Sequence, residues 1–135
     1  MRRIRIAAAL LCVAAAVCCG AEVNQDWIKR VPAAERERVN PYRGHQDDIA
    51  AGERMYGDYC ARCHGVDLQG TRGKPSLRTE VVQGATDGEL SWLLKNGDLR
   101  HGMPSWSSLP EAERWQILAY VKSTQQRIAK TQSKP

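Results

Sequence analysis

The sequence predicts an all-α fold of three main helices joined by loops, and three observations carry that expectation. Apolar residues recur at helical spacing in DDIAAGERMYGDYCARC (47–63), TDGELSWLLKNG (86–97) and PEAERWQILAYV (110–121). Start and stop signals bracket those runs. Alternating Val, Ile and Thr is missing, and the one β-leaning piece is the short TEVVQ at 79–83. A chain of 135 residues has room for one domain.

The elements follow in order. Residues 1–21, MRRIRIAAALLCVAAAVCCGA, put Arg2, Arg3 and Arg5 ahead of an apolar run and small residues, the pattern of an export signal. The run is short for a membrane span, which needs ~20 apolar residues. Within it VCCGAE resembles a bacterial lipoprotein cleavage site with Cys19 as the lipidated residue, and the alternative is cleavage after Ala21. Residues 22–46 mix charges with two prolines and show no sustained apolar period, so they read as a linker, or as a strap docked through Trp27, Ile28 and Val31. The folded domain is expected over 47–127. Its first helix takes Asp47 or Asp48 as N-cap and places Ile49, Gly52, Met55, Tyr56, Tyr59 and Cys60 on one side. Residues 65–85 read as loop, with Gly65, Gly70, Gly73, Pro75 and Gly84 as breaks. Thr86 and Glu89 have the spacing of a capping box for the second helix, and Asn96-Gly97 supplies its stop. A loop, DLRHGMPSWSS, leads to the last helix, which opens at Pro110 with Glu111 and Glu113 in its first turn and runs to about Arg127. Residues 128–135 read as a disordered tail.

Charge excludes one class of function. Taking Arg2, Arg3 and Arg5 from the 20 Lys and Arg leaves 17 against 15 Asp and Glu, too even a balance for a nucleic-acid-binding face. Cysteine use is more informative. Cys12, Cys18 and Cys19 fall in or beside the leader, so the domain keeps only Cys60 and Cys63, in CARCHG. Zinc would require four Cys or His ligands, and only His45 and His101 remain to complete a set with His64. A redox dithiol belongs in a βαβ setting, for which the flanks give no sign. The remaining chemistry of Cys-x-x-Cys-His is covalent attachment of haem, with Cys60 and Cys63 sharing a helix face and His64 following as an iron ligand. A ligand for the opposite side must come from elsewhere. Met103, in RHGMPSW, stands in a Gly/Pro-bounded loop where packing gives little reason for it, whereas Met55 lies on the helix that already carries the cysteines.

AGERMYGDYCARCHG, RHGMPSW and PEAERWQILAYV resemble the N-terminal helix, distal-ligand loop and C-terminal helix of class I mono-haem cytochromes c, over about residues 47–124. The resemblance implies one covalent haem c wrapped by three main helices, with Cys60 and Cys63 as thioether positions, His64 as proximal ligand and Met103 as distal ligand. It implies that Pro75 accepts the proximal imidazole N–H through its carbonyl, and that Gly52 and Tyr56 meet Leu118 and Tyr120 where the first and last helices cross. His101 stands near Met103 as a competitor for iron that the resemblance does not favour. Trp92, Trp106 and Trp115 are expected around the macrocycle, since the chain has no Phe.

Ligation by His and Met leaves iron no open position, so the expected function is one-electron transfer without turnover. The chain is expected to be an exported periplasmic monomer, possible membrane anchoring coming through Cys19. It would move electrons from a dehydrogenase donor to an oxidase or other acceptor through brief contacts at the haem edge. Two alternatives stand: a peroxidase or gas sensor whose distal Met dissociates, and a haem-free dithiol oxidoreductase.

Overall fold

The computed structural model describes residues 24–132, with side chains to Thr124. The leader, with the expected lipidation at Cys19, lies outside the described residues. Among those described, no helix is long and apolar enough to cross a membrane.

The architecture is helical throughout. Short turns α1 (Asp26–Lys29) and α2 (Ala33–Arg36) precede the first long helix, α3 (Gln46–Tyr59). A further turn, α4 (Ala61–His64), carries the Cys-x-x-Cys-His cluster. Then come α5 (Glu80–Gly84), α6 (Asp87–Asn96), a 3₁₀ turn over Leu99–His101, and the long α7 (Glu111–Gln132). The three longest are the three helices expected. Three local details differ. The N-cap of α3 is His45 rather than Asp47 or Asp48, and those two acids occupy the first helical turn, where the dipole favours them. TEVVQ is helical, because the Thr79 hydroxyl accepts from Val82 N–H and caps a turn that two β-branched valines do not prevent. The last helix continues to Gln132, past the expected end near Arg127.

The core is built on the crossing of α3 and α7, the most extensive helix pair. A Cβ at Gly52 would lie 1.9 Å from the Gln116 carbonyl oxygen, so only glycine allows this approach. One turn further along α3, Tyr56 packs against Tyr120 with ring centroids 5.3 Å apart and planes tilted by 51°. Gln116 Nε2 donates to Asp48 at 2.7 Å at the other end of the crossing. Helix α6 starts at the capping box read from the sequence: Glu89 N–H donates to the Thr86 hydroxyl and Thr86 N–H to the Glu89 carboxylate. Gly97 ends it with φ +72°.

Residues 24–46 dock on this frame. Trp27 and Val31 are buried. Asn40 ties the segment to two helices, its N–H donating to Asp87 at 3.0 Å and its side-chain amide to the Trp115 carbonyl at 2.8 Å. Arg43 also reaches Asp87, and Arg38 pairs with Glu111 and lies over the Trp115 ring. The segment is therefore a strap. Its sequence lacks an apolar period because buried polar bonds hold it as much as hydrophobic contact does.

Candidate functional site

A cavity of about 340 Å³ opens between α3, α4, the 65–77 loop, the 97–106 loop and α7. Its walls are overwhelmingly apolar, and Cys60, Cys63, His64, Pro75 and Met103 all line it. Each arrives by a local device. Tyr59 ends α3, and Cys60, at its C-cap, donates N–H to the Tyr56 carbonyl before the chain turns again through α4. Cys63 is exposed while Cys60 is largely covered. Tyr56 donates its hydroxyl to the Gly65 carbonyl at 2.7 Å, which fixes the exit of the cluster; burial pushes this phenol's pKa up and keeps its proton in place.

The loop after the cluster folds back beneath His64. Gly70 N–H donates to the His64 carbonyl at 2.8 Å, and a Cβ at Gly70 would come within 2.3 Å of the Lys74 carbonyl oxygen. That close approach, with Gly70 at φ +84°, brings Pro75 to the imidazole. The distance from His64 Nδ1 to the Pro75 carbonyl oxygen is 2.9 Å. A carbonyl only accepts, so Nδ1 carries the proton and the Nε2 lone pair is left for coordination. Burial lowers the imidazole's pKa against the opposing effect of the Pro75 bond, and Lys74 adds a smaller push downward, so the neutral ring is favoured on balance.

Met103 comes from the far side. It exchanges both backbone bonds with Asp98, Asp98 N–H to the Met103 carbonyl at 2.8 Å and Met103 N–H to the Asp98 carbonyl at 3.0 Å. Pro104 follows it, and Trp106 N–H is tied to the Leu94 carbonyl. Met103 is half-buried, packed against the core rather than projecting into solvent. His101 also lines the cavity, but its Nδ1 is engaged with Asp98 Oδ2 at 2.7 Å. Burial alone would raise the pKa of Asp98; the bonds from His101 and Arg30 outweigh it and hold the carboxyl below the usual range.

The aromatic lining differs from the expectation. Trp106 lines the cavity and stacks against Tyr59 with centroids 5.6 Å apart, whereas Trp92 and Trp115 do not reach it. Trp92 lies under the Arg30 guanidinium, and Trp115 is buried beneath the strap with its indole N–H on Glu111. Their place is taken by Trp27, from the strap, together with Ile117, Leu118 and Val121 of α7. Sequence reasoning also missed Asn24 on the cavity wall and Asp98 beneath the Met103 loop. Of these only Trp27 left a signal, as an isolated large apolar residue in a charged stretch.

These groups fit a covalently held haem: two thiols on the lining, one of them exposed, an imidazole with a free Nε2, a thioether sulfur from another segment, and otherwise apolar walls. The environment of Cys60 also runs against dithiol chemistry. Dithiol oxidoreductases lower the pKa of their attacking thiol, whereas burial, with Cys63 beside it, pushes Cys60 up to about 12.

Over residues 47–121, more than half of the chain, the sequence matches the family described as cytochrome C oxidase, cbb3-type, subunit III. A stretch of 50 residues is 34% identical to the cbb3-type cytochrome c oxidase subunit CcoP of Rubrivivax gelatinosus. That stretch covers 36% of this chain and 16% of the relative, so the chain corresponds to a small part of that protein.

Proposed function

The chain belongs to the cbb3-type cytochrome c oxidase subunit III family of c-type cytochrome domains, with covalently bound haem c and a role in electron transfer, and from that membership we propose the ligand set and the task of this chain. Cys60 and Cys63 form the thioethers, His64 is the proximal ligand, and Met103 is the distal one. The observation that carries this reading is that all four line one cavity while His64 Nδ1 is committed to Pro75.

The haem supplies a one-electron couple. The protein's own groups do the rest. The Pro75 carbonyl orients the imidazole and favours the tautomer with Nε2 free. The paired backbone bonds to Asp98 present Met103 from the opposite segment. Trp27, Leu90, Leu94 and Leu118 exclude water from the walls, which keeps the surroundings similar in both oxidation states. Cys63, exposed at the rim, marks where the macrocycle edge meets a partner.

The chain is a carrier without turnover of its own, exported to the periplasm. It receives electrons from a dehydrogenase-side donor and passes them to an oxidase-type acceptor; the similarity to an oxidase subunit supports that acceptor class. Cys19 anchors it through lipid, and the intact mass of the mature protein tests this.

The central test is optical. Protein produced with a cytochrome maturation system should retain haem after acid-acetone extraction and show low-spin ferric iron with a methionine–iron charge-transfer band. Met103→Ala should abolish the band and open the iron to carbon monoxide in the reduced state. High-spin iron that binds carbon monoxide rapidly in the parent protein would instead identify a sensor or peroxidase.

A further inference from the structure

We propose that the strap holds the distal loop shut over the cavity, with Arg30 as a positioning residue for Met103; this rests on Met103 being the distal ligand. The tip of the 97–106 loop, residues 99–102, has little packing of its own. Leu99 is 77% exposed, and Arg100, His101 and Gly102 are exposed as well. Segments of that kind open locally at low cost. What fixes this one is Asp98, whose side chain is only 7% exposed. Its backbone is paired with Met103 on both sides, and its carboxylate reaches outward to two partners.

One partner, His101, belongs to the loop itself and moves with it. The other does not. Arg30 Nη2 donates to Asp98 Oδ1 at 2.9 Å, and the guanidinium lies over the Trp92 ring of α6, 5.9 Å from its centroid. Arg30 thus ties the loop to elements that are independently anchored: Trp27 and Val31, buried on either side of it in sequence, and Arg36, which donates to the Ile28 and Val31 carbonyls. Asn24 adds a second tie, its side-chain amide lying 3.2 Å from His101 Nε2. Asn24 and Trp27 line the same cavity as Met103, so strap and loop close one wall together. Opening the loop to release Met103 would break the Arg30–Asp98 bond, a charge-assisted hydrogen bond, which raises the cost of opening.

The experiment uses the full, haem-loaded chain and reads two signals: the methionine–iron band, and the affinity for added imidazole, which must displace Met103 to bind. Arg30→Met should raise imidazole affinity roughly five- to tenfold, the lower end of couplings between linked sites, and weaken the band. Arg30→Lys, which keeps a charge, should fall between. Asn24→Ala, an exposed change that spares the core, should move affinity the same way by a smaller factor. Arg43→Met removes a strap ion pair to Asp87, away from the loop, and should leave affinity unchanged. Equal gains in the Arg30 and Arg43 variants would overturn the proposal, since they would report general loosening. Unchanged affinity in the Arg30 and Asn24 variants, with Met103→Ala strongly altered, would overturn the positioning role and leave the ligand assignment intact. A Met103→Ala protein identical to the parent would overturn both.

Discussion

Gly52→Ala is the sharpest test of how this fold is held. The added Cβ would sit 1.9 Å from the Gln116 carbonyl oxygen, 2.4 Å from its carbon and 3.0 Å from Ile117 N. Optimal separation between non-bonded carbons is ~3.5–4.0 Å, so the carbon–carbon contact at 2.4 Å is short by roughly 1.1–1.6 Å, and the contact with oxygen is tighter still. The obstructing atoms are backbone in the middle of α7 and have no rotamer to change. Relief requires α3 and α7 to move apart, which loosens the Tyr56–Tyr120 contact and the Gln116–Asp48 bond. Overpacking of this kind costs about 1–3 kcal/mol and sometimes more, and alanine's better helix propensity recovers at most ~1 kcal/mol. We expect a net loss of about 2 kcal/mol or more for Gly52→Ala. Gly57→Ala is the internal control, on the same helix with nothing within 4 Å of its Cβ. It should be neutral or stabilising by up to ~1 kcal/mol. Guanidinium denaturation of the haem-loaded protein, followed by far-ultraviolet dichroism, measures both. Equal stabilities for the two variants would refute the close-crossing argument.

Thr86→Ala removes the capping-box acceptor of α6 together with a bond to the Arg36 carbonyl, and should cost ~0.5–2 kcal/mol in the same denaturation experiment. Tyr56→Phe keeps the packing but removes one of the two bonds to the Gly65 carbonyl, which still accepts from Leu68 N–H, for an expected loss of about 1 kcal/mol, measured as a lower denaturation midpoint with an unchanged slope. The Arg38 guanidinium, and to a lesser degree the Trp115 indole, hold Glu111 below the ordinary glutamate range, against burial. Its folded-state pKa is depressed, so its contribution is present above ~4.3 and is lost as pH falls through the lower folded value. Because both partners are about half exposed, the contribution should stay within ~1 kcal/mol and shrink in salt. Glu111→Gln should therefore lower stability slightly at neutral pH and converge with the parent at low pH, as followed by thermal melts across pH 3–7.

The legible part of this protein was the part written locally. Cys60, Cys63 and His64 declare their chemistry within five residues, because thioether attachment needs two thiols on one helical turn with the imidazole close behind. The Thr86–Glu89 box, the Gly97 stop and the three long helices were readable for the same reason, since caps and apolar periods act over one or two turns. Gly52 and Pro75 were identified through resemblance, and their reasons became visible only as distances to Gln116 and His64.

What tertiary structure decided was which distant residues meet. Trp92 and Trp115 have the composition of cavity lining, yet rotation of α6 and α7 sends one under Arg30 and the other under the strap, while Trp27 takes a place on the wall. The strap shows no apolar period because Asn40, Arg36 and Arg30 hold it through polar bonds to Trp115, Ile28, Val31 and Asp98. Asp98 reads in sequence as a loop acid, yet it is buried with its carboxylate on Arg30, 68 residues earlier in the chain. The sequence by itself determined the chemistry and the helices, which depend on neighbours along the chain; the closed cavity and the tether on Met103 depend on polar and apolar partners that only folding brings within bonding distance.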